Sequence, residues 1–249
     1  MAPPSQTDWK PYITSRISPG DDYDELLDFP RYFEMETVNA CNARCVMCPL
    51  PGTKRKPMSD GLFEKIAGEM FDHARTIKRV ALYRDGEPLM DPKLPQRIQC
   101  LKDGGIRRVG ISTNVSLLTR QRAEAILKAG IDEVILSIDS LDKTVFENIR
   151  RGLVFETVLK NALNFIELRH RFNSRTQIWV RMVRQETNQS EWPAYEAFWK
   201  EKLTGSDRVN YHDLHNWGGQ LETQGSDTEN TESGSPCVAF WSLMAIFSD

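Results

Sequence analysis

Three of the five cysteines, Cys41, Cys45 and Cys48, fall within the eight residues of "CNARCVMC". The spacing C-x3-C-x2-C puts three soft thiolate donors on one short loop, where they can share one metal centre. A structural zinc site takes four protein ligands and favours paired C-x2-C elements. No second pair exists here: Cys100 and Cys237 are isolated, and His73, His170, His212 and His215 lie elsewhere. Iron–sulfur clusters normally take four cysteines. Three on one loop suggest a cubane cluster with one iron left for an exogenous ligand. A zinc site with a distant fourth ligand and a set of unligated buried thiols are the competing readings.

Such a loop needs a scaffold, and the chain supplies a repeating one. Apolar alternation predicts strands over 32–38, 77–83, 107–113, 132–139, 176–183 and 207–214. Between them, helical periodicity predicts helices over 61–74, 94–105, 119–130, 155–172 and 191–203. Ser59 or Asp60 can cap the first of these, and Gly104-Gly105 stops the second. Six strands alternating with helices imply right-handed crossovers and a mostly parallel sheet, either open and doubly wound or a partial barrel. In both, ligands gather at the C-terminal ends of the strands. The polar peculiarities fall on that rim. The cysteines follow strand one, "DGEP" follows strand two, "STN" closes strand three and "SID" closes strand four.

Residues 1–30 read as an N-terminal leader, with a turn signal at Ser18-Pro19-Gly20. Residues 31–217 form the βα core. The polar, acidic stretch 218–236 reads as a flexible linker. Residues 237–249, "CVAFWSLMAIFSD", turn apolar again. With 249 residues, 40% of them hydrophobic, the chain can bury a sizeable core. A net charge of −3 argues against nucleic acid held on a broad basic surface. No apolar run approaches the roughly 20 residues that span a bilayer, and the N-terminus has no apolar signal core. Clustered cysteines in an odd number argue against a secreted disulfide framework. The expectation is a soluble, cytoplasmic protein.

With its position behind a first strand, "CNARCVMCP" resembles the signature of the radical S-adenosylmethionine (SAM) superfamily. The resemblance covers roughly residues 32–217. It implies an α/β fold, a partial (βα)6 parallel barrel. It also implies a [4Fe–4S] cluster whose irons are ligated by Cys41, Cys45 and Cys48, with the amine and carboxylate of SAM chelating the fourth. Reduction of the cluster then splits SAM, and the deoxyadenosyl radical removes a hydrogen atom from the substrate. Met47 would lie by the adenine. "RDGEPLMDP" resembles the family's Gly-Gly-Glu-Pro element, with Asp85 where the first glycine is expected. It implies Gly86 and Glu87 beside the SAM ammonium, though "DGEP" is also an ordinary turn. "GISTNVSLLT" and "ILSIDS" resemble the third and fourth strand motifs. They imply Ser112, Asn114, Ser137 and Asp139 as contacts to SAM. As plain alternatives, Ser112 and Asn114 can cap the next helix, where Thr119 is the better cap, and Asp139 can begin a turn. "FENIRRG" resembles an Ile-Arg-Gly segment and implies Arg150 on the SAM carboxylate. For Arg181 the pattern leaves two readings, a barrel-interior cation in need of an anion or a surface arginine.

"HNWGG" (residues 215–219) resembles the exit from the barrel in members with a SPASM- or twitch-type extension that binds a further cluster. Here that extension is incomplete. Cys237 stands in the right context, but the expected glycine and later cysteines do not follow. One cysteine cannot hold an auxiliary cluster. The apolar tail would be exposed unless it packs back or meets a partner. Only about 30 residues precede strand one, too few for a peptide-recognition domain. The expected activity is therefore hydrogen abstraction from a small polar, sugar- or cyclitol-like substrate, giving dehydrogenation or epimerisation. Flavodoxin or ferredoxin would be the electron donor. The alternatives are a peptide-modifying maturase and a turnover-deficient iron–sulfur scaffold. Tyr83, His212 and His215 are candidates by position for taking a proton.

Overall fold

A computed structural model describes residues 10–15, 17, 22–49, 56–217, 220–221 and 239–248. Two short helices, α1 (Lys10–Thr14) and α2 (Tyr23–Asp28), fall where a leader was expected, and Ile13 is fully buried. The core then runs β1 (Tyr32–Met35), β2 (Arg44–Cys45), α3 (Asp60–Asp72), β3 (Arg79–Ala81), α4 (Leu94–Asp103) and β4 (Val109–Thr113). It continues with α5 (Arg120–Lys128), β5 (Glu133–Ser137), α6 (Lys143–Ile149), β6 (Arg150–Arg151) and α7 (Phe155–Arg171). It ends with β7 (Gln177–Arg184), α8 (Trp192–Lys202), β8 (Arg208–Asp213), α9 (Ala239–Ser242) and β9 (Leu243–Ile246).

Seven strands form one sheet in the order β8-β7-β5-β4-β3-β1-β9, and every neighbouring pair is parallel. Its two edges, β8 and β9, do not pair with each other, so the barrel stays open on one side. The period-two pattern divides each strand between two environments. Val80, Leu82, Val109, Ile111, Val134, Leu136, Ile178, Val180 and Met182 are buried in one apolar cluster with helix residues such as Phe63, Ile98, Ile126 and Phe165. The alternate positions face the lumen. Helix starts are fixed by side chains: Ser59, Thr119 and Asp142 each accept a bond from the backbone N–H three residues on. Thr119 therefore takes the capping role that Ser112 and Asn114 were free to play.

Charge closes the N-terminal end of the lumen. Glu133, at the start of β5, is buried and accepts from Arg79 Nε at 3.0 Å and from Arg108 Nη2 at 2.5 Å. Gly110 on the neighbouring strand makes room, since a Cβ there would stand 3.1 Å from Glu133 Cβ and 3.3 Å from its carboxylate. Arg79 Nη2 also donates to the Tyr83 hydroxyl at 3.2 Å.

The tail departs most from expectation. Six strands were predicted; β9 is a seventh, parallel to β1 with Phe33 opposite Met244 and Met35 opposite Ile246. The apolar segment thus packs back instead of standing free, although Met244 and Phe247 keep exposed side chains. Ser248 then donates to the buried Glu36 carboxylate, from its hydroxyl at 3.0 Å and its N–H at 3.4 Å. Cys237, and the linker expected over 218–236 apart from residues 220–221, lie outside the described residues.

Candidate active site at the open end of the barrel

Beyond β1 the chain enters the cysteine loop. Two backbone contacts anchor it: β2 pairs with β6, setting Cys45 opposite Arg150, and Val46 N–H donates to the Ile149 carbonyl at 2.9 Å. Cys41, Cys45 and Cys48 are all free thiols and all line one cavity of about 970 Å³. Donors already point at the sulfurs. Cys41 Sγ accepts from Ala43 N–H at 3.4 Å and from Asn114 Nδ2 at 3.8 Å, and Arg150 Nη1 stands 3.9 Å from Cys45 Sγ. Burial pushes the Cys41 thiol up and the Cys45 thiol up to about 11, with Arg150 opposing the second shift. Without a metal these thiols stay protonated at neutral pH; bound iron would deprotonate them. Among the described residues, no three His, Cys, Asp or Glu side chains converge tightly enough to hold a single ion. A cubane spreads three cysteines over three irons, so the donor set and its hydrogen bonds fit a cluster better than mononuclear zinc.

The wall nearest the cysteines is heavily cross-bonded, and Gly86, Glu87, Asn114 and Arg150 all line the cavity from it. A Cβ on Gly86 would lie 1.9 Å from the Val38 carbonyl oxygen. The close approach that demands glycine is thus to the protein's own backbone, where Glu87 N–H also bonds the Ala40 carbonyl at 2.8 Å. Glu87 is buried, and its carboxylate accepts from Thr113 Oγ1 at 2.6 Å, Asn114 N–H at 2.7 Å and Leu89 N–H at 3.1 Å. Burial raises its pKa, and these three bonds oppose the rise. Glu87 is a clamp between the β3 turn and the end of β4. Asn114 Nδ2 also donates to Asn42 Oδ1 at 2.9 Å, which ties β4 to the cysteine loop. Asp139 does not line the cavity. It is fully buried, with one oxygen on Arg150 Nε at 2.6 Å and the other on Val183 N–H at 2.7 Å. In place of a ribose contact, Asp139 is the counter-ion of Arg150. Arg150 reaches the cavity with Nε held by Asp139 and Nη1 at Cys45, which leaves its Nη2 donors for a ligand.

Ser112 and Ser137 stand as the rim motifs suggested, on neighbouring strand ends with their hydroxyl oxygens 3.2 Å apart in the cavity wall. Met47 also lines the cavity, and its carbonyl accepts from Trp217 Nε1 at 2.9 Å.

The far wall comes from β3, β7, β8 and the segment after β8. Tyr83, Arg181, Val183, His212, His215 and Trp217 line it. The open question about Arg181 is settled: it faces inward. Burial lowers its pKa, and its Nε is buried without a hydrogen-bond partner. His212 is lowered too, by burial first and by the Arg181 charge second. Asn42, Thr113 and Trp217 were missed as site residues. Only "HNWGG" carried a signal for the last; the other two act through partners more than 25 positions away.

The chain has relatives that share part of it. A GTP 3',8-cyclase of Chlorobaculum tepidum is 33% identical over 140 residues, covering 52% of this chain and 39% of the relative. A probable GTP 3',8-cyclase of Methanococcus maripaludis is 29% identical over 141 residues, covering 55% and 46%. This chain therefore spans less than half the length of these curated relatives. Among solved structures, Streptococcus suis SuiB bound to S-adenosylmethionine superposes with a TM-score of 0.65 at 17% identity, covering 88% of this chain and 59% of SuiB. BtrN in complex with AdoMet and 2-DOIA gives 0.55 at 17%, covering 88% and 70%. At that identity the likeness is one of fold. The Radical SAM superfamily model matches residues 35–181, more than half of the chain, a stretch that includes the cysteine loop, Tyr83 and Arg181 but not His212, His215 or Trp217. The chain belongs to the radical SAM superfamily, whose cofactors are a [4Fe–4S] cluster and S-adenosylmethionine.

Proposed function

We propose that this protein is a radical SAM enzyme that removes a hydrogen atom from a small polar substrate bound beside SAM in the barrel mouth. The observation that carries this reading is one cavity of about 970 Å³ with three cysteines in one wall and Arg181, His212 and Tyr83 in the other. That volume is at the upper end of the roughly 300–1,000 Å³ of single-ligand pockets. The cluster, when bound, supplies the electron that cleaves SAM and so generates the hydrogen-abstracting group. Cys41, Cys45 and Cys48 would hold its irons. The Ser112 and Ser137 hydroxyls and the Asp85 carboxylate are available to orient SAM, alongside Gly86, Glu87 and Asn114, which also line the cavity. Met47 and Trp217 would cover the adenine side and exclude water. His212, its pKa lowered, is neutral at pH 7, so a ring nitrogen can take a proton from a substrate hydroxyl. That proton acceptor suits dehydrogenation of a hydroxylated substrate, in which the substrate radical loses the hydroxyl proton and passes one electron to an acceptor; epimerisation would instead need a hydrogen-atom donor to that radical.

A second reading is a cyclase acting on a purine nucleotide, supported by the 33% identity to a GTP 3',8-cyclase. Anaerobic reconstitution with iron and sulfide should load about four irons per chain. Dithionite and SAM should then yield methionine and 5′-deoxyadenosine. Deuterated cyclitols, sugars and GTP, offered in turn, identify the donor by label in the deoxyadenosine. An iron-loaded protein that never cleaves SAM would sink the enzyme reading in favour of a scaffold; label from GTP alone would replace the first substrate class with the second.

A further inference from the structure

The cavity holds an arginine, Arg181, that has no ion-pair partner among the described residues. Other arginines of the barrel have acid partners: Arg150 has Asp139, Arg84 has Glu34, Arg184 has Asp213 and, at the closed end, Arg79 has Glu133. Arg44 on the cysteine loop also lines the cavity without an ion pair among the described residues, but it is exposed, whereas Arg181 is half-buried. The Arg181 Nε is buried and unbonded. Its neighbours on β7 and β8 share the condition: Trp179 Nε1 and Asn210 Oδ1 are buried without partners, and Asn210 is in register with Arg181. An unpaired guanidinium in a half-buried wall is costly unless something completes it. Tyr83 lines the same cavity. Its hydroxyl oxygen already accepts from Arg79, so its proton is free to donate inward.

We infer that Arg181 and the Tyr83 hydroxyl form a recognition site for an anionic group, a phosphate or a carboxylate, on the substrate. The guanidinium fork matches either group bidentately, and the phenol adds a third donor. The competing ligand is the carboxylate of SAM. The charged and titratable groups that act on Arg181 are Tyr83, Glu133, Arg79 and His212, none of them from the cysteine loop, whereas Arg150 stands at Cys45. Ser137, one of the hydroxyls available to orient SAM, lies in register with Arg181 across β5 and β7, so the SAM affinity of the Arg181 variant decides between the two ligands. The inference rests on the reading that this cavity binds a substrate next to SAM, and it narrows that substrate to a polar molecule bearing negative charge.

The test is equilibrium dialysis of the reconstituted, SAM-loaded, oxidised holoenzyme against two probe pairs, myo-inositol 1-phosphate with myo-inositol and glucuronate with glucose. At least one charged probe should bind about tenfold or more tightly than its neutral parent, and which one does separates phosphate from carboxylate. Arg181→Gln should erase that preference to within about twofold while SAM affinity holds, and Arg181→Lys should keep part of it. Tyr83→Phe, a second variant should Arg181→Gln fail to fold, should weaken the charged probe by roughly three- to tenfold. Equal binding of charged and neutral probes, binding of neither, a preference that survives both variants, or a tenfold loss of SAM affinity in Arg181→Gln would each overturn the inference. Formation of 5′-deoxyadenosine by the same preparation reports on the enzymatic reading separately.

Discussion

The two walls of the cavity are built on opposite terms. On the cysteine side almost every polar group has a protein partner: Glu87 takes three donors, Asn114 ties β4 to the loop, and Asp139 neutralises Arg150. On the β7–β8 side Trp179, Arg181 and Asn210 keep buried polar atoms that nothing among the described residues satisfies. A wall that holds a cofactor of fixed shape can be rigid and self-satisfied. A wall that reads a substrate keeps its hydrogen-bonding capacity in reserve, at a cost in stability.

That contrast can be broken by substitution. Cys45→Ala should bring iron to background and abolish 5′-deoxyadenosine formation, measured by metal analysis and chromatography; retained cluster would move the ligand set elsewhere. Asp139→Asn strands a buried arginine and should cost about 3–5 kcal/mol in denaturant unfolding of the metal-free protein. Gly86→Ala drives a methyl into the Val38 carbonyl and should cost about 1–3 kcal/mol, with weaker SAM binding by dialysis. On the other wall the sign should reverse. Arg181→Met removes a cation without a partner and should leave the protein as stable or up to about 1 kcal/mol more stable. A clear loss would mean that the contrast between the walls is false. The smallest effect is electrostatic. His212 is held below its ordinary pKa by burial and then by Arg181. A lowered histidine supplies stability that is present above its unfolded pKa and lost as pH falls through the lowered folded value. In Arg181→Met its ring resonances should titrate closer to the ordinary value by NMR, and the window of acid destabilisation should narrow.

Much of the scaffold was legible because it rests on local periodicity. The alternation of β7, with Ile178, Val180 and Met182 outward, and the cap at Thr119 need only neighbours in sequence. The cysteine spacing likewise carried its chemistry in eight residues. What was not legible depends on distant pairs. Asp139 and Arg150 were each read as SAM ligands, and only the fold shows that they satisfy one another. Gly86 was read as room for a ligand, and the crowding atom proves to be Val38 O. Arg181 alternated correctly, yet no single strand tells which face is the lumen; that needs the barrel. For the tail, packing back was one of the outcomes left open, and the strand it would join was not legible. Four residues of β9 have too little pattern to announce a partner strand, and their pairing with β1 leaps across the whole core.

That pairing sets an order in time. Glu36 and Ser248, joined through one carboxylate, are 212 residues apart. At ribosomal rates of roughly 5–20 residues per second, β1 waits on the order of 10–40 seconds for β9. Throughout that interval the strand that leads into the cysteine loop has a bare edge, open to other chains. Glu36 also bonds the Asp85 N–H, so the turn on the SAM side stays loosely held for just as long. The cofactor pocket is thus begun by β1 and completed only after a segment 212 residues further along has been made, which makes premature metal loading and nascent-chain aggregation competitors in its biogenesis.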